Sequence, residues 1–361
     1  MKKTGTNNSI GLGYFNMARG IGMVLILLGH SMTPFFPVKA ISDSLFSGAG
    51  SVLGGGIMAM FFLISGYGFF SRSFRKCWNT QWKLLLKPYW ITAAAILVSK
   101  VLLAILKQRS FADHGGDLVM TYLLGLNAEG GAIFLGMAVD SVSILWFILA
   151  LFGGWVLYNG ICRIKSNPLR TLLTVTCVIT GWLMTLVSNI WPFCLPMALM
   201  AVGYLAMGDV IRRRGWLTDK LPIWGWLLVL AVVLVCCAFG RVNMVACRWK
   251  LGLLDVAGSF CMGFLLLRLY HFLMQKNYRG KILGCLENVG FHSLWIVFLH
   301  GYEKVIFPWY RLGELLPGNP ALCTVLCFAL RCAVIYALLR LVQWVRRKLQ
   351  KKRAKSAMTL Q

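Results

Sequence analysis

The stretch "MARGIGMVLILLGHSM", residues 17–32, is apolar enough to form most of a membrane-spanning helix. It nevertheless contains Arg19 near one end and His30 near the other. Ionisable side chains are costly in hydrocarbon, so they usually face the interior of a helix bundle or a wet cavity. The stretch therefore predicts a transmembrane helix that carries two candidate functional side chains.

The spacing of Arg19 and His30 places them on one face of that helix. A helix turns about 100° per residue, so eleven positions come within roughly 20° of three full turns and span about 16 Å. A neutral imidazole at such a position is a natural general base for a hydroxyl group. Two plainer interpretations stay open: Arg19 can reach lipid headgroups from the helix end, and His30 can lie neutral in a bundle with one hydrogen bond.

The composition extends this reading to the whole chain. The 361 residues are 58% hydrophobic and only 13% charged, and the mean hydropathy is +0.72. A soluble domain of this composition would lack polar cover for its surface. We therefore predict an all-α polytopic membrane protein with about ten transmembrane helices. The predicted spans are 12–36, 48–70, 89–106, 141–161, 170–188, 194–210, 222–240, 251–271, 290–308 and 321–343.

The distribution of basic residues predicts the orientation of these spans. With the N-terminus inside, 26 of the 37 Lys and Arg residues lie on or near the inner side and nine on the outer side. This asymmetry follows the positive-inside rule and places both termini in the cytoplasm. The net charge of +26 then reflects topology and membrane lipids as partners rather than nucleic acid. The first apolar run is too long for a signal peptide, so we expect it to be retained.

Three regions outside the spans have distinct patterns. The longest polar stretch, 107–140, predicts a partly structured outer loop that roofs a site. The inner segment 71–88 alternates cations with aromatic residues and leucines, which is typical of an amphipathic helix at the membrane interface. The twelve cysteines include no CxxC pair, so we predict neither a metal site nor a disulfide framework.

Five motifs occur in the order found in a known family. They are "NMARGIGMVLILLGH" (16–30), "FFLISGYGF" (61–69), "KPYW" (87–90), "WFI" (146–148) and "SLWIVFLHG" (293–301). The set resembles the membrane-bound acyltransferase-3 family, in which an Arg and a His lie eleven positions apart in the first helix. The first motif is especially similar to the fucose 4-O-acetylase-like subgroup. The resemblance covers most of the chain, as a transmembrane domain over 1–345 followed by a basic cytoplasmic tail over 346–361.

The resemblance implies an O-acyltransferase of the inner (plasma) membrane. Such an enzyme moves an acyl group, commonly acetyl, from cytoplasmic acyl-CoA to a hydroxyl of an envelope sugar or glycolipid. Acyl-CoA is its donor substrate, and no bound cofactor is expected. His30 and Arg19 are the implied catalytic residues. Four inner cations are assigned to the phosphates of the donor: Arg72, Arg75, Lys83 and Lys87. The family's Arg-x-x-Arg element is matched either by Arg72 and Arg75 or by the segment that contains Lys83 and Lys87.

Five further residues are candidates for the acceptor side, namely Ser65, Tyr67, Trp146, His300 and Arg331. His300 is expected either to face His30 across a shared cavity or to bond a backbone carbonyl. Ser65 is either a nucleophile or a small residue that allows close helix packing. The two aromatic residues either line a sugar site or belong to an interfacial belt. Arg331, near the middle of the last span, requires a carboxylate, carbonyl or substrate partner.

Two other functions are weighed against acyl transfer. A transporter or flippase for an anionic or glycolipid substrate would need an intramembrane carboxylate relay in its proton-coupled form. We expect none of the eleven Asp and Glu residues in mid-membrane, which argues against that function. A scaffold or sensor without chemistry would tolerate replacement of His30.

Overall fold

The computed structural model of the protein describes residues 12–36, 48–108, 112–219, 221–275 and 280–358. Over these residues, eight helices are long and apolar enough to cross a bilayer, and a bent pair of shorter helices makes a ninth candidate. A further apolar helix has 17 residues. The protein is therefore an all-α polytopic membrane protein, as predicted.

The helices of the described residues are numbered in chain order. They are α1 (Leu12–Met32), α2 (Ala49–Tyr67), α3 (Phe74–Gln81), α4 (Lys87–Leu106), α5 (Ala112–Leu124), α6 (Trp146–Ile161), α7 (Asn167–Val187), α8 (Leu195–Arg214), α9 (Ile223–Phe239), α10 (Leu253–Gln275), α11 (Lys281–Phe291), α12 (Ser293–Ile306), α13 (Arg311–Leu315) and α14 (Pro320–Met358). Two small antiparallel hairpins accompany them. Their strands are β1 (Asn127–Phe134), β2 (Met137–Ser141), β3 (Val242–Asn243) and β4 (Arg248–Trp249).

Each predicted span overlaps a helical segment, but the segment 71–88 differs from its prediction. Helix α3 is not a separate interfacial helix, because a π-helical turn over Trp82–Leu86 joins it to α4 in one run of 33 residues. Pro88 follows the π-helical turn closely, and a proline or a π-helical turn interrupts the regular hydrogen-bond ladder of a helix. Four of the five cations of this segment, Arg75, Lys76, Lys83 and Lys87, thus lie exposed at the start of a helix long enough to span a membrane.

The predicted span 290–308 differs more strongly, because it is broken near its start. Helices α11 and α12 meet at His292 with a bend of 74°. Helix α12, with 14 residues, therefore runs in a different direction from α11 and carries the polar residues of the segment into the bundle. This arrangement determines where His300 lies.

The helices pack around a core made chiefly by α2, α6 and α8. Helix α8 packs against α2, α6 and α7, while α2 also packs along α10. Helix α12 lies between α4 and α14, and α1 packs against α11, α12 and α14. Helix α1 therefore lies beside the helices that carry the late candidate residues.

The contact between α1 and α11 is one of bare backbones. A Cβ atom on Gly290 would lie 1.6 Å from the Asn16 carbonyl oxygen, and one on Gly20 would lie 1.9 Å from the Leu286 carbonyl oxygen. Only glycine permits such an approach. The contact therefore fixes α1 against α11, and so against α12 that follows it.

The predicted roof comes from a different loop than expected. The stretch 107–140 forms α5 and the β1–β2 hairpin, whose Asn127 side chain donates to the Val245 carbonyl oxygen. Val245 belongs to the loop between α9 and α10, which contains the β3–β4 hairpin. That loop contributes four lining residues, 242–245, to the cavity of the candidate site, and the polar stretch contacts the loop through Asn127.

The predicted basic tail continues the last span without a break. Helix α14 runs for 39 residues, from Pro320 to Met358, so the span 321–343 and most of the tail form one helix. The last three residues of the tail, 359–361, lie outside the described residues.

The orientation of the bundle remains a prediction that cysteine labelling tests. Lys165 lies in the turn between α6 and α7, Lys250 lies in the loop after α9, and both are exposed. If both termini are cytoplasmic, a membrane-impermeant maleimide added to intact cells should label Lys250→Cys. Lys165→Cys should react only after permeabilisation. The parent chain, which has an exposed Cys285, supplies the background, and the reverse pattern would overturn the predicted topology.

Candidate functional site

A cavity of about 380 Å³ lies beside the C-terminal half of α1. Helices α1, α2, α6 and α12 and the loop after α9 contribute to its walls. Its polar lining consists of His30, Thr33, Ser51, Ser143, Asn243 and Lys304. Most of the remaining wall is apolar, so the few polar groups determine what the cavity binds.

His30 of α1 meets His300 of α12 at this cavity. Their ring centroids are 5.3 Å apart, with an angle of 51° between the planes. His30 lines the cavity, whereas His300 is completely buried behind it. The two histidines are therefore in direct ring contact rather than on opposite sides of a shared cavity, and only His30 is open to a ligand.

The partner of His300 is a carboxylate, not a backbone carbonyl. Its Nδ1 lies 2.5 Å from Oε1 of Glu303, which is also completely buried. A carboxylate on one ring nitrogen holds the imidazole in a fixed orientation and favours the proton on that nitrogen. The other nitrogen, Nε2, is buried with no hydrogen-bond partner among the described residues.

Glu303 is held by two more donors. Nη1 of Arg331 lies 3.3 Å from Oε1, and Trp309 donates from Nε1 to Oε2 at 2.5 Å. The Arg331 guanidinium also lies over the Trp309 ring, 5.1 Å from its centroid. The partner that Arg331 requires in the last span is therefore the Glu303 carboxylate.

The Glu303 carboxylate lies inside the bundle, where no acidic residue was expected. Chain position alone suggests that no Asp or Glu lies in mid-membrane, yet Glu303 is enclosed in the bundle with a buried arginine and a buried histidine. The residue is near the end of α12, but the bend before α12 turns the helix into the protein. The lack of an internal carboxylate therefore no longer argues against a transporter.

Only part of the predicted face of α1, the face that contains Arg19 and His30, lines the cavity. Met23, Ile26, His30 and Thr33 all line it, at the three- and four-residue spacing of one helix face. Arg19 lies one turn before Met23 on the same face but is not among the lining residues. It is half-buried and makes no ion pair with the described residues.

The cations assigned to the donor do not all come together. Arg75 and Lys83 line a shallow groove of about 340 Å³ on α3, and Lys76 lies between them. Arg72 is held elsewhere, because its backbone N–H and C=O both bond the Asn159 side chain, at 2.9 and 3.1 Å. Lys87 is exposed but does not line the groove, and Arg19 does not line it either.

The remaining candidates separate into one cavity residue and two packing residues. Trp146 is buried and lines the His30 cavity. Ser65 accepts a hydrogen bond from Nε1 of Trp155 at 2.7 Å, and Tyr67 packs on Phe15 with ring centroids 4.8 Å apart. Neither Ser65 nor Tyr67 lines the cavity, so their contacts are those of helix packing.

Sequence reasoning missed three residues of the site: Glu303, Lys304 and Trp309. Glu303 carried a signal, since it follows His300 by three positions, which places both on one helix face, and a carboxylate was one of the three kinds of partner expected for Arg331. Lys304 lines the cavity from a position that the span prediction placed at a helix end. The contact of Trp309 with Glu303 depends on the turn after α12 and could not be predicted from the order of residues.

Comparisons of the chain with protein-family models, with curated proteins and with solved structures found no match. The site around His30 is therefore the basis for assigning a function.

Proposed function

We propose that the protein is an integral membrane O-acyltransferase that moves an acyl group from acyl-CoA to a hydroxyl of a glycan or glycolipid. The observation that carries the proposal is the His30 imidazole on the wall of a cavity that the Lys304 side chain also lines. The ring lies against His300, which Glu303 holds in a fixed orientation. A histidine at such a cavity is suited to take a proton from a hydroxyl. The order of motifs that resembles the acyltransferase-3 family supports the same assignment.

The chemical step assigns a role to each polar group of the cavity. The acceptor hydroxyl oxygen attacks the thioester carbonyl carbon, and His30 takes the hydroxyl proton as the C–O bond forms. The negative charge that develops on the carbonyl oxygen is stabilised by the Lys304 ammonium on the same cavity wall. When the C–S bond breaks, the proton passes from His30 to the leaving thiolate of CoA.

The donor is proposed to approach from the predicted inner side. The α3 groove brings Arg75, Lys76 and Lys83 together, and three cations on one surface suit the phosphates of CoA. Arg19, on the same α1 face as His30, provides a cation between that side and the cavity. We assign both features to binding the donor rather than to proton transfer.

A second candidate function has a specific observation in its favour. Glu303, Arg331 and His300 form a buried charged cluster inside the bundle, and such clusters are typical of proton relays in transporters. A transporter or flippase for an anionic or glycolipid substrate would use this cluster without cleaving a thioester.

Turnover of a labelled donor separates the two functions. Purified protein in liposomes is given acetyl-CoA with a radiolabelled acetyl group, and both free CoA and transferred label are measured. An acyltransferase should release CoA above the level of protein-free liposomes, by transfer to an added glycan or by slow transfer to water. Intact acetyl-CoA after incubation with folded protein would contradict the proposal and favour the transporter.

A further inference from the structure

The loop between α9 and α10 separates two cavities at the predicted outer end of the bundle. One of them is the His30 cavity, which the loop lines with residues 242–245. The other, called the outer recess below, has a volume of about 710 Å³ and is lined by Arg241 and by residues 247–250, with Trp182 on the opposite wall. Ser51, Val242 and Asn243 line both cavities, so the two lie side by side.

Two indole rings line the outer recess, those of Trp182 and Trp249. Their Nε1 atoms are enclosed by the protein and have no hydrogen-bond partner among the described residues, so the rings offer a ligand their carbon surfaces rather than their N–H groups. The Trp182 ring packs closely against Gly252, where a Cβ atom would lie 3.0 Å from it. Two indole surfaces beside the Asn243 amide suit the flat face and the hydroxyl groups of a sugar.

The outer recess is also basic. Arg241, Arg248 and Lys250 line it, and no acidic side chain is among its described lining residues. Burial raises the pKa of the Cys247 thiol to about 12, so this wall residue adds no negative charge. Cations on an outer loop run against the usual charge bias of membrane proteins. Arg241 and Arg248 also make contacts elsewhere, so Lys250 is the cation that we assign to a ligand.

We propose that the outer recess binds an anionic saccharide unit of the acceptor, next to the unit whose hydroxyl enters the His30 cavity. The inference rests on the proposed function and adds the class of acceptor: a glycan with a carboxylate or phosphate group on a neighbouring sugar. The volume falls within the range of roughly 300–1,000 Å³ typical of small-molecule sites. The two cavities adjoin at Ser51, Val242 and Asn243, so neighbouring units of one acceptor would lie side by side in them.

Binding of simple sugars to the full-length protein in detergent tests the proposal without a donor. The probes are glucuronic acid and glucose 1-phosphate, with glucose as the neutral control, followed by ligand-detected NMR. Both acidic sugars should bind at least tenfold more tightly than glucose, and a preference for one of them identifies the anionic group. Equal binding of all three probes, or no binding of any, would overturn the inference.

Matched variants locate the binding site. Lys250→Gln and Trp249→Leu should each weaken binding of the preferred acidic sugar at least tenfold. Lys107→Gln and Trp224→Leu replace an exposed lysine and an exposed tryptophan elsewhere and should change it less than twofold. Because Lys250 is exposed, Lys250→Gln should fold normally, and unchanged binding by that variant would refute the assignment.

The two proposals fail in different ways. If the wild type turns over acetyl-CoA but shows no preference for acidic sugars, the recess assignment is wrong and acyl transfer stands. If it binds acidic sugars but leaves acetyl-CoA intact, acyl transfer is wrong and the recess assignment keeps its binding evidence.

Discussion

Replacing His30 with alanine should lower acyl transfer by about 100-fold or more, because general-base catalysis of this kind contributes roughly 10²–10⁴-fold. His30 is the histidine that lines the cavity, whereas His300 is buried and cannot take its place beside the substrate. The measurement is transfer of radiolabelled acetyl from acetyl-CoA in liposomes, at saturating donor, beside the wild type.

A second histidine in the bundle provides the matched control. His271 packs edge-on against Tyr14, with ring centroids 5.6 Å apart, and does not line the His30 cavity. His271→Ala should retain activity within about twofold of the wild type. A folded His30→Ala variant that keeps more than a tenth of wild-type activity would refute the role of His30 as the base.

Separating Glu303 from Arg331 should destabilise the protein strongly. Removing one member of a buried ion pair costs about 3–5 kcal/mol, because the other charge is left buried without compensation. Arg331 is only 2% exposed and Glu303 is fully buried, so neither can turn to water. Arg331→Met and Glu303→Gln should each lower the unfolding temperature, measured by intrinsic tryptophan fluorescence, and the double variant should recover much of the loss.

An ion pair with one exposed partner supplies the contrast for this measurement. Arg213 contacts the buried Asp209 at 2.9 Å but is 59% exposed, so Arg213→Met should cost less than about 1 kcal/mol. If Arg331→Met is no more destabilising than Arg213→Met, the buried cluster does not have the energetic role described. A double variant that folds but transfers no acetyl would show that the cluster is kept for function.

Membrane character and the approximate spans could be predicted from the sequence, because apolar runs have to match the thickness of a bilayer. The pairing of His30 with His300 was also accessible, since each is an ionisable residue inside an apolar run. Other features depend on three-dimensional contacts. Periodicity gave no sign of the 74° bend at His292, and that bend is what encloses Glu303.

The loop after α9 was the harder part of the site to predict. Its thirteen residues, 240–252, mix three cations with apolar side chains, and nothing in their order indicates that the segment lies against α1 and α2. The structure shows the cause: Val242 donates its backbone N–H to the Ser51 hydroxyl at 3.2 Å, and Asn127 reaches Val245 from the β1–β2 hairpin. Both contacts join positions more than a hundred residues apart.

The glycine contact between α1 and α11 has a consequence for the geometry of this site. Asn16 and Gly20 meet Leu286 and Gly290 well away from the histidines. Helix α1 nevertheless carries His30, and α11 leads through the bend at His292 to α12, which carries His300. Any side chain at Gly290 would push α1 away from α11. The resulting tilt would displace α1 most at its far end, where the His30 imidazole lies. The alignment of the two rings thus depends on a missing methyl group about 20 Å away along α1.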